Sequence, residues 1–224
     1  MRVSYPLGLP VLLVGLALRL GAADTADSAT IWRLDRTDQV GGHPVTTEGA
    51  PQVVTHAGES SIHFNGTSDG IFLPVNPLEG LTDFTIEALF NPDADGPTEQ
   101  RFIHVSDQAG SRALLEIRLA ADGWSLDTFL LSGQSQRNCA LLDRTKLHPA
   151  NRWTWVALVY AHGHMAHYIN GAKELEGEVT LAPMTTGQIS LGVRQNKVYW
   201  FKGSIREVRI HPSALNEGSL QSAK

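Results

Sequence analysis

The feature that most constrains this chain is a long succession of short, strand-like segments. Each segment is rich in Val, Ile, Leu, Phe or Thr and alternates apolar with polar side chains over much of its length. Gly, Asn, Asp and Pro lie between the segments, a pattern typical of antiparallel strands joined by tight turns. The candidate strands are residues 30–35, 60–64, 70–75, 83–90, 101–106, 113–120, 125–131, 153–160, 165–170, 187–193 and 204–211.

Periodicity excludes a helical fold for most of the chain. After residue 23, no stretch of useful length repeats its apolar residues with the 3.6-residue period of an amphipathic helix. Many short strands at close spacing predict an all-β sandwich or barrel. No linker-like stretch divides the sequence and no internal repeat appears. We therefore expect a single domain over residues 24–224, with an ordered core roughly over residues 30–215.

The first 23 residues have the layout of a secretory signal peptide. Arg2 supplies a positive start, residues 11–18 form an apolar run, and Gly21 and Ala23 are the small residues that precede a cleavage site. The run is shorter than the roughly 20 apolar residues that span a bilayer. We expect a mature chain that is secreted, to the extracellular space or the periplasm, and that has no transmembrane segment.

Charge limits the classes of binding partner that we expect, and the cysteine content limits the disulfides that the chain can form. Cleavage after Ala23 would remove two of the 18 basic residues and none of the 23 acidic ones, which leaves a net charge of −7. Proteins that bind nucleic acid or anionic membranes use clustered Lys and Arg, and this sequence has no basic run, so we expect neither partner. A single cysteine, Cys139, excludes an internal disulfide. Its strand-like surroundings favour a buried thiol over a nucleophile.

Parity assigns the faces of several strands. Successive side chains of a strand point to opposite faces, so the even-numbered residues of segment 83–90, from Phe84 to Phe90, share one apolar face. The same rule turns His167 inward. Segment 153–160 is apolar on both faces and is expected to be central. Gly163 supplies the positive φ of a tight hairpin turn.

Three blocks of sequence resemble the laminin-G-like, concanavalin A-like domains. They are "SSIHFNGTSDGIFLP" followed by "LTDFTIEALFNPD", then "NRWTWVALVYAHGHMAHYINGAKE", and last "FKGSIREVRIHPSAL". The blocks occur in the order of that family and span roughly residues 30–215. The resemblance implies a jelly-roll sandwich of two antiparallel sheets, one of them concave. It also implies binding of glycans or proteins outside the cell, although some relatives are glycosidases or lyases, and a fold alone does not decide between these functions.

The final block departs from the family at Arg206. Relatives often carry Asp there, and the resemblance implies a structural calcium with an acidic residue of this strand among its ligands. Arginine cannot ligate a cation. Arg206 also has the same parity as the apolar residues Val208 and Ile210. Two explanations are open: the guanidinium pairs with a carboxylate, with Asp69 as the candidate, or a β-bulge turns Arg206 to solvent.

A second acidic stretch is a candidate calcium site. Residues 91–96 place Asn91, Asp93 and Asp95 at alternate positions before Gly96, as at the start of a calcium-binding loop. The twelfth position of such a loop would be Phe102 instead of Glu, so a plain acidic turn is the alternative. The candidate ligands for a structural calcium are therefore Asp69, Asp93 and Asp95.

Aromatic residues are the candidate ligand-binding groups. Trp155 and Tyr168 point outward from two strands that should be hairpin neighbours. On a concave face they would form a platform on which a sugar ring stacks. Tyr199 and Trp200 add two aromatic rings in a loop before the last strand. The alternative for these residues is burial in the core or under a covering loop.

Three histidines close in sequence could form a metal site. His162, His164 and His167 are residues of a type that binds zinc or copper. The first two flank the hairpin glycine, and the third has the opposite parity to His164. We therefore expect two solvated turn histidines and one buried histidine.

Acidic residues could support hydrolysis. Glu174, Glu176 and Glu178 have a spacing of two and are expected to share one face. Retaining glycosidases of this fold class carry an acidic triplet of that spacing. Gly177 interrupts the strand here, so a solvated acidic face is the alternative. Glu87 and Glu116 are isolated on their strands.

These observations favour a secreted, non-catalytic binding module of the laminin-G-like class, whose partner is a polysaccharide or a glycoprotein. Two alternatives remain open. One is a glycoside hydrolase or polysaccharide lyase with carboxylates on the concave face. The other is a structural or protein-binding adhesion domain without a sugar site.

Overall fold

The computed structural model describes residues 29–223 together with Met1, and the rest of the expected signal segment lies outside these residues. Within this range the chain is almost entirely β-structure, and Glu217–Ser219 forms one 3₁₀ turn. No helix in the described residues is long and apolar enough to cross a bilayer. The strands are β1 Thr30–Arg33, β2 Gln39–Val40, β3 His43–Pro44, β4 Thr46–Glu48, β5 Gln52–His56, β6 Glu59–Asn65, β7 Gly70–Leu73, β8 Phe84–Pro92, β9 Glu99–Asp107, β10 Arg112–Ala120, β11 Gly123–Leu131, β12 Asn138–Leu142, β13 Thr154–Ala161, β14 His164–Ile169, β15 Ala172–Glu178, β16 Gly187–Leu191 and β17 Lys202–His211.

Two large antiparallel sheets make up the sandwich. The first sheet has the order β15-β14-β13-β8-β17-β6-β5, and β1 also pairs with β17. The second sheet has the order β12-β11-β10-β9-β16-β7-β4, and β2 and β3 form a small ribbon. The expected all-β, two-sheet antiparallel jelly-roll sandwich is confirmed. Strand β13 lies between β14 and β8, as its apolar character on both faces predicts.

Aromatic side chains from both sheets interlock in the core. Phe90 of the first sheet stacks on Phe102 of the second, with ring centroids 4.5 Å apart and an interplanar angle of 5°. Trp124 meets Phe90 edge-on at 5.0 Å. Both are favoured geometries for aromatic pairs. Phe201 is fully buried beside them. The two sheets are therefore held together by a layer of rings that belongs to neither sheet alone.

The turn between β13 and β14 follows its predicted geometry. His162 and Gly163 both have positive φ, 49° and 84°. Two positive φ values in succession are the requirement of a type I′ turn, whose twist matches that of the flanking strands. This turn fixes the register that pairs Val156 with Ile169.

A β-bulge explains the position of Arg206. The pairing of β17 with β8 shifts register between Ile205 and Glu207, so Arg206 has no partner on β8. Side chains that point inward are odd-numbered before the bulge and even-numbered after it, and Ile205 and Val208 are both buried. The expected bulge is present, but it does not turn Arg206 to solvent, because the side chain is half-buried. The alternative pairing of Arg206 with Asp69 is wrong, because the Arg206 guanidinium lies 4.1 Å from the ring centroid of Trp153 and Asp69 has other partners, described below.

Candidate functional site

The outer face of the second sheet contains a charged recess. Its charged side chains point away from the core, yet those of Arg101, Glu116, Arg118 and Asp127 are only 6–12% exposed. Charged residues are rarely so buried unless they are paired. The recess has a volume of about 310 Å³, at the lower end of the range for small-molecule sites. We call it the arginine recess and define it by Arg101, Arg112, Arg118, Arg194, Glu116 and Asp127.

Strand register brings the paired charges together. Glu116 on β10 lies opposite Arg101 on β9 and opposite Asp127 on β11. The Glu116 carboxylate is 2.9 Å from Arg101 Nε and 2.9 Å from an Arg118 terminal nitrogen. Arg118 also forms an ion pair with Asp127. Each of these four residues therefore has at least one partner of opposite charge across or along the sheet.

The carboxyl group of Asp127 in the recess has a raised pKa. Burial raises its pKa; Arg118 opposes this rise and the negative charge of Glu116 adds to it, so that the pKa reaches about 6. Desolvation favours the neutral form of an acid, and a nearby carboxylate acts in the same direction. Asp127 therefore changes charge near pH 6. Its neighbour Glu116 forms ion pairs with two arginines, Arg101 and Arg118.

The recess also contains two arginines, Arg112 and Arg194, whose charges are not paired among the described residues in the way that those of Arg101 and Arg118 are. Within residues 29–223, neither Arg112 nor Arg194 forms an ion pair with a carboxylate. Burial lowers the pKa of Arg112, and the positive charge of Arg194 lowers it further. Burial, with the charges of Arg194, Arg112 and Arg101, also lowers the pKa of the neighbouring His104 to about 3. The local potential is therefore positive in a protein whose net charge is negative.

Tyr199 contacts Arg101 of this recess but is not among the residues that line it. The Arg101 guanidinium lies 3.6 Å from the centroid of the Tyr199 ring, within the range of a cation–π contact. Tyr199 has a φ of 61°, and its carbonyl oxygen accepts a hydrogen bond from the Arg101 backbone N–H at 2.9 Å. The ring remains 42% exposed. Its neighbour Trp200 is half-buried. Of the four predicted aromatic groups, Tyr199 has the exposed ring.

Trp155 and Tyr168 lie on the opposite side of the molecule. Both point outward from the first sheet, on β13 and β14, as predicted. Trp155 is only 8% exposed, and the Arg209 guanidinium lies 4.9 Å from its ring centroid. Tyr168 is half-buried and lines a recess of about 570 Å³ beside Glu176. The four predicted aromatic residues are therefore divided between two faces and form no common platform.

The chain after β17 covers part of the first sheet. We call residues 212–223 the C-terminal strap. Leu220 packs against Ala157, Val159 and Tyr168 on the outer face of that sheet. The carboxylate of Glu87 accepts a hydrogen bond from the Gln221 backbone N–H at 2.7 Å, and its other oxygen lies 2.9 Å from His211 Nε2. Sequence reasoning left a covering loop open as an alternative but did not identify the segment, because residues 212–223 contain no strand pattern.

The candidate calcium ligands are engaged elsewhere. Asp69 accepts hydrogen bonds from the backbone N–H groups of Ala50 and Asn65 at 2.9 and 3.1 Å. Asp93 pairs with His63 Nε2 at 3.1 Å, and Asp95 pairs with the Lys202 ammonium at 2.6 Å. Among residues 29–223, no three His, Cys, Asp or Glu side chains converge as a metal site would require. These side chains as arranged do not fit a calcium ion.

The glutamates after β14 do not share a face. The β14–β15 pairing shifts register beside Tyr168, and Glu174 falls at this irregularity. Its carboxylate turns inward, 2.8 Å from His148 Nε2 and 3.3 Å from His167 Nε2. Burial alone would raise the pKa of Glu174, but the hydrogen bonds to the two histidines outweigh it and lower the pKa to about 2. The expected common face of Glu174, Glu176 and Glu178 is therefore wrong, because the bulge separates Glu174 from the two exposed acids.

The histidines are arranged as expected. His162 and His164 are exposed beside the hairpin turn. His167 is fully buried, and its Nδ1 lies 3.0 Å from Thr128 Oγ1 of the second sheet. Cys139 packs half-buried against the core, and burial raises the pKa of its thiol. A raised pKa lowers the fraction of nucleophilic thiolate, which agrees with a packing role.

Several solved structures are similar to this chain. Domain 4 of AbnA, a GH43 extracellular arabinanase from Geobacillus stearothermophilus solved in complex with arabinotriose, is 25% identical, with a TM-score of 0.55; the match covers 78% of this chain and 85% of that one. The botulinum neurotoxin serotype D binding domain is 16% identical, with a TM-score of 0.62. A botulinum neurotoxin type C structure, whose cell entry depends on interaction with two ganglioside molecules, is 16% identical, with a TM-score of 0.64.

The two toxin matches cover 86% of this chain but only about half of each toxin chain (50% and 49%), and at this identity they establish the fold alone. The sequence matches none of the curated proteins. The family model that does match, laminin G type 3, covers residues 65–221, well over half of the chain. The chain therefore belongs to the concanavalin A-like lectin/glucanases superfamily.

Proposed function

We propose that this protein is a secreted, non-catalytic binding module that recognises a glycan, as a polysaccharide or on a glycoprotein, at the arginine recess. The observation that carries the proposal is a recess on the outer face of a sheet that is lined by fixed charged groups, one of which, Arg101, lies against the ring of the exposed residue Tyr199. Sugar sites combine polar groups that fix orientation with aromatic surface on which the ring stacks.

Two of the similar structures support this proposal. The arabinanase domain was solved with arabinotriose, and the type C neurotoxin interacts with gangliosides. Both ligands are carbohydrates or carry them. The present chain shares the fold of these domains, and the arginine recess is the preorganised polar site on its own surface. Export of the protein is part of the proposal and follows from the sequence of residues 1–23.

A binding screen tests the proposal. The purified protein would be applied to an array of plant, microbial and animal glycans beside Tyr199→Ala and Trp155→Ala. We expect Tyr199→Ala to weaken binding about tenfold, or ~1.4 kcal/mol, and Trp155→Ala to leave it unchanged. Loss of binding in Trp155→Ala alone would move the site to the first sheet. No binding to any glycan would leave a protein-binding or structural domain instead.

The same screen with added calcium or with chelator tests the calcium expectation. Since Asp69, Asp93 and Asp95 have other partners, we expect equal binding in both conditions. Loss of binding in chelator would show that these acids rearrange around a cation.

A glycoside hydrolase is the second candidate, favoured by one observation. Glu116 and Asp127 lie directly opposite each other in the recess, and a carboxyl group with a pKa near 6 suits a general acid. Against it, Arg118 contacts both carboxylates and neutralises the charge that a nucleophile needs. Release of reducing ends from a polysaccharide that disappears in Asp127→Asn would establish the enzyme.

A further inference from the structure

We propose that the arginine recess holds an anionic group of its ligand, a carboxylate or a sulfate, between Arg112 and Arg194. This inference rests on the proposed glycan site and assigns the chemical class of the glycan. It follows from a difference between two sets of charges within the recess.

The first set is internally balanced. Arg101 and Arg118 hold Glu116 and Asp127 in a chain of ion pairs across three neighbouring strands. Buried charges need partners of opposite sign, because desolvation otherwise costs several kcal/mol. In this set the protein supplies every partner itself, so the set has no need of a ligand.

The second set is not balanced. Arg112 and Arg194 line the same recess and are both half-buried, and no carboxylate of the described residues forms an ion pair with either. The two guanidinium groups are near enough for the charge of Arg194 to lower the pKa of Arg112. Two like charges held together and partly removed from water are stabilised by an anion placed between them. The planar fork of a guanidinium matches the oxygens of a carboxylate or a sulfate.

A third donor lies beside this pair. His104 is 4% exposed and stands opposite Leu114, a residue that lines the recess. Its Nδ1 accepts a hydrogen bond from the Gln195 backbone N–H at 3.1 Å, so the proton of the neutral ring is on Nε2. That Nε2 is buried and has no partner among the described residues. Buried polar groups are rarely left without a partner, and a ligand oxygen or a water that it orders would satisfy this one.

The overall charge limits which anion is favoured. The chain is acidic, with a formal net charge of −5, and an acidic protein repels a dense polyanion at long range. Recognition by two arginines in one recess suits a glycan that presents single charges at intervals. Because few charges are involved, we expect binding to weaken only modestly with salt.

Matched glycan pairs test the inference. A glucuronoxylan, which carries single carboxylates at intervals, would be compared with its carboxyl-reduced form, and a sparsely sulfated galactan with its desulfated form, each against parent protein, Arg112→Gln and Arg194→Gln. We expect the charged member of at least one pair to bind at least tenfold more tightly, and each variant to abolish that preference. Arg33→Gln, on an exposed residue of the first sheet, is the control and should keep it. Thermal melting of all variants would confirm that they are folded.

A small-anion titration separates the two proposals. Sodium sulfate would be added at constant ionic strength, with chloride as the reference, while the ¹⁵N resonances of the arginine Nε groups are followed. We expect saturable shifts at Arg112 and Arg194 and none at Arg33. Binding of neutral and charged glycans with equal affinity would overturn the anion inference and leave the glycan site. Sulfate binding at the recess without binding of any glycan would keep the anion site and overturn the glycan proposal. Failure of both experiments would overturn both.

Discussion

The two outer faces of the sandwich differ in the side chains that point outward and in whether the chain covers them. On the first sheet, the C-terminal strap packs on the apolar residues Ala157 and Val159 and on the aromatic ring of Tyr168, and Trp155 is nearly buried. On the second sheet, no such strap from residues 29–223 covers the strands at the centre of the recess, and most of the side chains that line it are charged. The comparison teaches that aromatic residues on an outer face need not mark a ligand site, because the chain itself can cover them.

The two faces also differ in what holds them together. Covering an apolar face removes that surface from water and stabilises the fold. A network of nearly buried ion pairs adds little net stability, because desolvation offsets most of the Coulombic attraction. Its effect is to fix the positions of Arg101 and Arg118. The first face therefore stabilises the fold, and the ion pairs of the second face orient the arginine side chains of the recess.

The largest expected effect comes from removing the central cation of the recess. Arg118→Ala leaves Glu116 with one ion-pair partner fewer and Asp127 with none among the described residues. We expect the free energy of unfolding to fall by about 3–5 kcal/mol, measured by urea denaturation. Arg112→Ala breaks no ion pair within residues 29–223 and should cost less than about 1 kcal/mol. Equal losses in the two variants would contradict the division into balanced and unbalanced charges.

The next effect is the pH dependence that Asp127 contributes on the second face. The pKa of Asp127 rises from 3.8 to about 6 on folding, so between these values the folded protein holds a proton that the unfolded chain has released. The contribution of Asp127 to the free energy of unfolding therefore falls as pH rises from about 4 to about 6. At ~1.4 kcal/mol per pKa unit, the fall is about 3 kcal/mol.

Denaturation of the parent and Asp127→Asn at several pH values measures this term. The difference in unfolding free energy between the two proteins should change across that window by an amount of this order. Asp122→Asn, on an exposed residue of the neighbouring turn, should leave the pH profile of the parent unaltered. A constant difference between parent and Asp127→Asn would show that folding does not raise the pKa of Asp127.

A third experiment loosens the cover of the first face. Leu220 is 9% exposed and anchors the C-terminal strap, so Leu220→Ala should cost about 2 kcal/mol and increase the quenching of tryptophan fluorescence by acrylamide. Val198→Ala, on an exposed loop residue, is the control. If Leu220→Ala also gained glycan binding that Trp155→Ala then removed, the strap would be the main difference between the two faces.

The smallest expected effect concerns the contact above Trp155. Arg209 lies over this ring and pairs with Glu207 at 2.5 Å. Replacing it by Ala removes a partly exposed cation–π contact, which is worth about 0.5–1 kcal/mol. Urea denaturation would measure the loss, with the exposed Arg33→Ala as the control. A loss above 2 kcal/mol would mean that Arg209 holds the strap as well as the ring.

Much of the fold could be predicted from the sequence. Segments 83–90 and 153–160 are both strands, and the apolar face of the first and the central position of the second are as predicted. Strand β5 was missed. All five of its residues are exposed at the edge of the first sheet, so it has no buried face to produce an alternating pattern.

The site was harder to predict, because it depends on register between strands. Glu116 appears isolated in the sequence, yet its partners Arg101 and Asp127 lie on the neighbouring strands β9 and β11. Glu174 fits an even spacing with Glu176, and the bulge that separates them leaves no mark in a pattern of period two. The pairing of strands, which the sequence does not state, creates both arrangements.

The bulge at Arg206 has a consequence for the order in which the molecule forms. On one side, β17 pairs with β8 along most of its length; on the other, it pairs with β6 before the bulge and with β1 after it. Strand β17, near the end of the described residues, thus connects β1 to β8 in the middle of the first sheet. Pairing between distant parts of a sequence slows folding. A nascent chain that ends before Lys202 lacks the centre of its first sheet, so the domain can complete its fold only after nearly all of it has been synthesised.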